Sequence, residues 1–406
     1  MEVIEGKAFI KGRLRDANIG IENGKIVKIK KVLYGKAHNY KGMVILPAAI
    51  DIHVHFREPG YEYKEDFYTG SKAALLSGVT FVADMPNNNP LIVDDTTFKE
   101  KLNKIKRKAW VDYGLYAGIS KKLVRDANLY KLYLSHDNDI FVGYDELKNL
   151  FQKIKEKNAL LAIHAEDENC IKREGKNLVE YEKNSPVECE IKAVKKIVEI
   201  NKEIKARLHI CHVTSPETAR ILNKSKTSFG VTLHHILFSY KSKFKREAMG
   251  KVNPPLRSEE EREKLFKMVA KGKVPIMESD HAPHAIEEKN GFQEAKAGMP
   301  GVDALLPIML YMVKMGKIKL GNLVRMVSEN PARLIGINKG KIEVGKDADF
   351  IIIDFNDVKK MKALSKCGWS CYEGMNAIYP YHVWLRGEIV MENGEVIGEP
   401  TGRRIK

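Results

Sequence analysis

The residues Asp51-Ile52-His53-Val54-His55 combine two imidazoles at i and i+2 with a short apolar run. On an extended segment those two side chains project from the same face, so both can reach one cation. Three more ligand-type residues close short β-branched runs: His164 in LLAIHAED, His212 in LHICHVT and Asp280 in VPIMESDHAPH. His209 lies three residues before His212, so strand parity turns it the other way. That leaves His212, nearer the C-terminal end of its run, as the candidate. Lys131, in LYKLYLS, is of interest for a different reason. An ordinary ammonium has no lone pair and repels a cation, so a lysine as such is a poor ligand. Each histidine taken alone reads most simply as structural. It is their joint placement at strand ends that points to a metal-assisted site.

The elements that must carry these residues can be read from periodicity. Strand candidates are Val44–Val54, Val79–Met85, Val111–Gly118, Leu129–Leu134, Ala159–His164, Arg207–Val213, Gly230–His234 and Val274–Asp280. Between them run helix-like stretches such as Asp66–Ser77, Asp145–Lys157, Val187–Lys205 and Ser258–Lys271, and two further helices are expected near Asp303–Met315 and Leu320–Leu334. Eight strands alternating with helices predict an α/β fold, a closed (β/α)8 TIM-type barrel, whose active residues gather at the C-terminal ends of the strands. The two ends of the chain have hairpin texture instead, with turn signals at Asn23-Gly24 and Asn393-Gly394. We therefore expect residues 1–43 and 341–406 to pair into a small β-sheet domain beside a barrel spanning 44–340.

Composition narrows the class. The 406 residues are 44% hydrophobic and 30% charged, an ordinary globular balance, and no apolar run approaches a membrane span. The N-terminal residues show no secretory pattern, and five cysteines without a CxxC pair argue for a reducing, cytoplasmic setting and against a disulfide framework. The net charge of +16 comes from lysines interleaved with glutamates on helix-like stretches, so it predicts solvated faces and no nucleic-acid or membrane partner. The same field would favour approach of a small anionic substrate. Abundant Lys and Glu also suit a heat-adapted source.

Taken together, ILPAAIDIHVHFREPG (45–60), ADMPNNNP (83–90), KLYL (131–134), AIHAED (162–167), HICHV (209–213), VNPPLR (252–257), ESDHAPH (278–284) and MPGVDALLP (299–307) resemble the amidohydrolase superfamily and, within it, the dihydroorotases. GKIEVGKDADFIIID (340–354) is similar to the superfamily's C-terminal sheet segment. The resemblance implies two Zn2+ per chain. His53, His55 and Asp280 would hold the buried ion, and His164 and His212 the more exposed one. A Lys131 carboxylated by CO2 would bridge them. Some dihydroorotases use an Asp there, which keeps Asp137 and Asp139 open as alternatives, and Tyr130 stands where a smaller residue is usual. The implied chemistry is reversible opening of the dihydroorotate ring to N-carbamoyl-aspartate, a step of pyrimidine (UMP) biosynthesis. Activated water attacks the ring amide, and Asp280 carries the proton to the departing nitrogen.

Substrate selection falls on other residues. Arg57, two positions after His55, shares its face if the chain stays extended, and its planar fork suits a carboxylate. Asn87 and His284 resemble the family's other carboxylate contacts, and Asn253 a contact near the ring. Hydantoinases, dihydropyrimidinases and allantoinases share the metals but act on rings without that carboxylate, so Arg57 separates them from dihydroorotases. A scaffold that has lost catalysis would lack ligands, whereas all six positions here carry competent residues. His234 and His235 could approach the site, Cys211 shows no nucleophile partner, His38 and His382 read as surface or interdomain residues, and Ser135–Gly143 could form a lid. Self-association and a transcarbamoylase partner stay open.

Overall fold

The computed structural model describes residues 1–136 and 140–405. Its centre is a ring of eight parallel strands: Ala49–Val54, Val79–Asp84, Asp112–Gly118, Leu129–Tyr133, Leu160–His164, Arg207–Ile210, Ser228–Thr232 and Ile276–Glu278. The ring closes where Val54 bridges His281 in parallel and the His55 N–H donates to the His281 carbonyl at 2.8 Å. The first five strands are buried along their whole length, as expected when helices cover the outside and side chains fill the inside.

Local chemistry sets where the outer helices begin. Asp66 and Asp94 each form a capping box at the start of Phe67–Leu76 and Asp95–Ile105, and Ser258 caps Glu259–Ala270, whose first turn carries three glutamates. The expected Leu320–Leu334 helix is three consecutive pieces, Leu320–Val324, a π turn Arg325–Glu329, and Asn330–Ile335. Pro331, with no N–H to give, accounts for the irregular ladder just before it.

The second sheet joins both ends of the chain, in the order Glu395–Val396, Glu388–Glu392, His382–Leu385, Phe350–Ile353, Lys36–Pro47, Glu2–Ile10, Arg13–Glu22, Lys25–Lys30. Both Asn-Gly turns have positive φ at each residue, 50° and 75° at Asn23-Gly24 and 51° and 81° at Asn393-Gly394, the geometry a two-residue hairpin demands. One expected strand is corrected: Val44–Val54 is not a single element. Residues up to Pro47 pair with Phe350–Ile353, the Ala48 N–H donates to Asp349 O, and from Ala49 onward the chain belongs to the barrel. The two sheets are locked together by Lys339, whose buried ammonium lies 2.6 Å from Asp349 and 2.9 Å from Asp112 of the third barrel strand.

A second correction concerns cysteine. Cys170 and Cys189 form a disulfide, tying the segment after the fifth strand to helix Val187–Ile204, while Cys211, Cys367 and Cys371 are free. Among the described residues no helix is long and apolar enough to cross a membrane.

Candidate active site

The strand ends deliver their side chains to one cleft of about 910 Å³, lined by His53, His55, Arg57, Asn87, His164, His212, Asn253, Asp280 and His284 among others. His53 sits on the first strand and His55 just beyond it. Asp280 follows the eighth strand in a left-handed conformation, φ 45°, that brings its Oδ1 to 3.3 Å from both His53 Nε2 and His55 Nε2. One ligand atom from each of these three lies within 4.8 Å of the others, so they could hold a metal ion. Facing them, His164 Nδ1 and His212 Nε2 approach to 3.0 Å, and the His53 and His212 rings are 5.3 Å apart. Lys131 lies fully buried, with its Nζ 3.2 Å from Cys211 Sγ. Asp137 and Asp139, the alternatives to it, and part of the expected lid lie outside the described residues.

Strand parity does not separate His209 from His212. The sixth strand ends at Ile210, and His212 has φ 37°, so alternation stops before it is reached. His209 sits deeper, its Nδ1 2.9 Å from Ser228 Oγ and its Nε2 3.1 Å from Glu278. The seventh strand also stops early. Thr232 caps a short helix, Leu233–Leu237, that carries His234 and His235, and His235 is held by Thr232 Oγ1 and the Pro254 carbonyl. His38 and His382 belong to the terminal sheet.

The electrostatics suit a cation. Burial pushes His55 down to about 3 and His212 well below its ordinary value, so both are neutral and keep a lone pair at pH 7. Burial alone would raise Asp280, but the neighbouring His53 and His55 outweigh it and hold the carboxyl well below its usual range. His53 is pushed up to about 10: its burial is overcome by the charges around it, Cys211, Asp280 and Glu278. A bound cation would displace that proton. Among the described residues the Nδ1 atoms of His53, His55 and His212 are buried without a hydrogen-bond partner. His164 Nε2 is anchored by Glu166 at 2.7 Å, and Glu166 in turn meets Arg173. A carboxylate behind a ligand imidazole fixes its tautomer.

The condition set for Arg57, that the chain stay extended to it, is not met. The strand ends at Val54 and Arg57 has φ 63°, a turn that lays its guanidinium along the cleft wall. Its Nε donates to the Pro283 carbonyl at 3.1 Å, and Nη2 lies 3.3 Å from His284 Nε2. Burial and then the Arg57 charge push His284 down to about 3, so it is neutral there. Its other nitrogen is 3.3 Å from Lys64 Nζ and 3.4 Å from Glu288. Asn87 accepts from the Tyr133 hydroxyl at 3.2 Å, and its amide nitrogen has no hydrogen-bond partner among the described residues. Asn253 accepts from Tyr181 at 2.6 Å.

Sequence reasoning missed Glu166, Arg173, Lys64, Glu288 and Glu278. Two of them carried a signal. Glu166 and Glu278 each stand two residues from a ligand candidate, the same spacing that singled out His53 and His55.

The amidohydrolase family model matches residues 44–390. The chain is 37% identical to a dihydroorotase of Pyrococcus furiosus over 99% of this chain and 95% of that one. It is 38% identical to a dihydroorotase of Thermoplasma acidophilum, covering 98% and 96%. Among solved structures, an L-hydantoinase (dihydropyrimidinase) from Arthrobacter aurescens superposes with TM-score 0.91 at 26% identity, covering 99% and 98% of the two chains.

Proposed function

Because the chain belongs to the amidohydrolase family and, within it, to the dihydroorotases, we propose that it opens the ring of dihydroorotate to N-carbamoyl-aspartate and closes it in reverse. The observation that carries this reading is a guanidinium, Arg57, on the wall of the same cleft as the His53, His55 and Asp280 cluster. A ring bearing a carboxylate would meet the arginine while its amide lies over the cluster.

The residues fit a pair of zinc ions. Imidazoles neutral at His55 and His212, the ionised carboxylate of Asp280 and a His53 whose proton a bound cation would displace form a donor set suited to that ion. His53, His55 and Asp280 would hold one and His164 and His212 the other, with Lys131, carboxylated by CO2, between them. Bound there, the metals supply a water activated near neutral pH and polarise the amide carbonyl. The protein does the rest. Asp280 takes a proton at its carboxylate and returns it to the departing ring nitrogen. Arg57, aimed by the Pro283 carbonyl, receives the substrate carboxylate, and the amide of Asn87, without a partner among the described residues, and neutral His284 complete that pocket. Asn253 faces the ring. The setting is the cytoplasm, and the Cys170–Cys189 bridge matches the intracellular disulfides of heat-adapted organisms.

The test is a panel of dihydroorotate, hydantoin, dihydrouracil and allantoin offered to zinc-loaded protein whose metal content is measured in parallel. Dihydroorotate should be opened fastest, with about two zinc ions per chain. A neutral ring opened faster than dihydroorotate overturns the proposal.

A further inference from the structure

Below the metal-capable residues lies a carboxylate that the reaction as described does not use. Glu278 closes the eighth barrel strand and is completely buried. Its Oε1 stands 3.4 Å from His53 Nδ1, on the side of that ring away from Asp280, and accepts the backbone N–H of His212 at 2.5 Å. Its Oε2 is 3.1 Å from His209 Nε2. One side chain thus touches a ligand candidate of the first strand, the backbone of a ligand candidate after the sixth, and the buried histidine beneath both. The seventh strand is cut away to admit it. A Cβ on Gly230 would fall 2.3 Å from the Glu278 carboxyl carbon and 2.5 Å from Oε2, closer than real contacts allow.

We infer that Glu278, in the space left by Gly230, is the positioning residue that fixes His53 and His212 for metal binding. The inference rests on the dihydroorotase reading above. The His212 contact matters most, because its φ of 37° is a conformation that a non-glycine residue holds only when its surroundings over-determine it. The Glu278 oxygen on its N–H supplies that constraint. Behind His53 the same carboxylate stands at ion-pair distance from Nδ1, which makes no hydrogen bond among the described residues, and Nε2 is left directed at Asp280. A competing role exists on the same atoms, since His53, Cys211 and Glu278 also bring ligand atoms within 4.8 Å of one another. Glu278 could therefore be a ligand itself. The experiment separates the two.

Holoprotein carrying Glu278→Leu, Glu278→Gln or Gly230→Ala is compared with wild type. The readouts are zinc affinity by chelator competition, zinc stoichiometry, the visible spectrum of the Co2+ form, and kcat and KM for dihydroorotate. Leucine fills the volume without an acceptor, so Glu278→Leu should weaken metal affinity about 10- to 100-fold. Its Co2+ spectrum should change and its kcat fall, with KM within about twofold because the Arg57 wall is untouched. Glu278→Gln keeps a carbonyl oxygen for the His212 N–H and should recover part of both losses. Gly230→Ala, which alters no polar group, should reproduce the leucine pattern by displacing the carboxylate. Wild-type affinity and spectrum in Glu278→Leu overturn the inference. If that variant does not fold, unchanged affinity in both Glu278→Gln and Gly230→Ala does so. A third equivalent of zinc, lost selectively with Glu278, overturns it in favour of the ligand role. A wild type that binds zinc yet leaves dihydroorotate intact refutes the proposed function instead and is distinguishable from all of these.

Discussion

Replacing Arg57 with methionine keeps length and apolar bulk while removing the fork. In the structure the Nε hydrogen is spent on the Pro283 carbonyl and one Nη2 hydrogen faces His284, so of a guanidinium's five N–H donors three remain for a ligand. A carboxylate taking two of these in parallel makes charge-assisted bonds of about 1.5–3 kcal/mol each. Losing one partner of such a buried contact costs about 2–5 kcal/mol, roughly 30- to several-thousand-fold. Arg57→Met should therefore lower kcat/KM for dihydroorotate by that factor while zinc content stays at the wild-type level. Arg57→Lys should regain only part, because a point charge replaces a planar pair of donors. The assay is steady-state ring opening followed in the ultraviolet, with metal analysis of the same samples. Unchanged dihydroorotate turnover in Arg57→Met would refute the reasoning and shift the assignment toward the neutral-ring hydrolases.

Lys131→Ala should lose both activity and part of the bound metal, and short carboxylic acids added to it should restore some turnover; full metal content and activity in that variant would exclude a bridging carbamate. Replacing Cys170 and Cys189 by serine should lower the thermal midpoint, since a bridge closing a 19-residue separation contributes about 3 kcal/mol; an unshifted midpoint would count against the bridge. Lys339→Met leaves Asp349 buried without its cation and Asp112 with Arg386 alone, and should cost about 3–5 kcal/mol in urea unfolding, with little change in the kcat of what remains folded. His284, pushed down to about 3 against an ordinary value near 6.5, takes up its proton more readily in the unfolded chain. Its contribution to stability is complete above pH 6.5 and is lost as pH falls through 3. His284→Gln should flatten the acid slope of the urea midpoint between those values, and an unaltered slope would contradict it.

How much of this could be read beforehand depended on whether a residue lay inside a regular element. His53, His164 and Lys131 sit on strands, where period-two alternation and strand-end position are reliable guides. Arg57, His212 and Asp280 lie just past strand ends with φ of 63°, 37° and 45°. There the residue type could be recognised but the direction of its side chain could not. The segment Val44–Val54 looked continuous because both of the sheets it serves bury it, and hydrophobicity cannot tell one covering layer from another. The disulfide was invisible for a related reason. Its cysteines stand 19 positions apart, and only the folded path of the intervening segment, with its helix Leu178–Lys183, brings them together.

The terminal sheet has a consequence for how the chain is made. Lys36–Pro47 leaves the ribosome with its partner Phe350–Ile353 still about 300 residues away. At roughly 5–20 residues per second that is a wait of about 15–60 s, during which the apolar stretch Met43-Val44-Ile45-Leu46 presents an open edge. An edge of that kind invites pairing with a neighbouring chain on the same message. The barrel, whose strands pair with their successors, can close meanwhile. Nascent protein should then pass through a stage with a finished catalytic body and an unfinished flank, and a chaperone that covers apolar strand edges would find its target at residues 43–46.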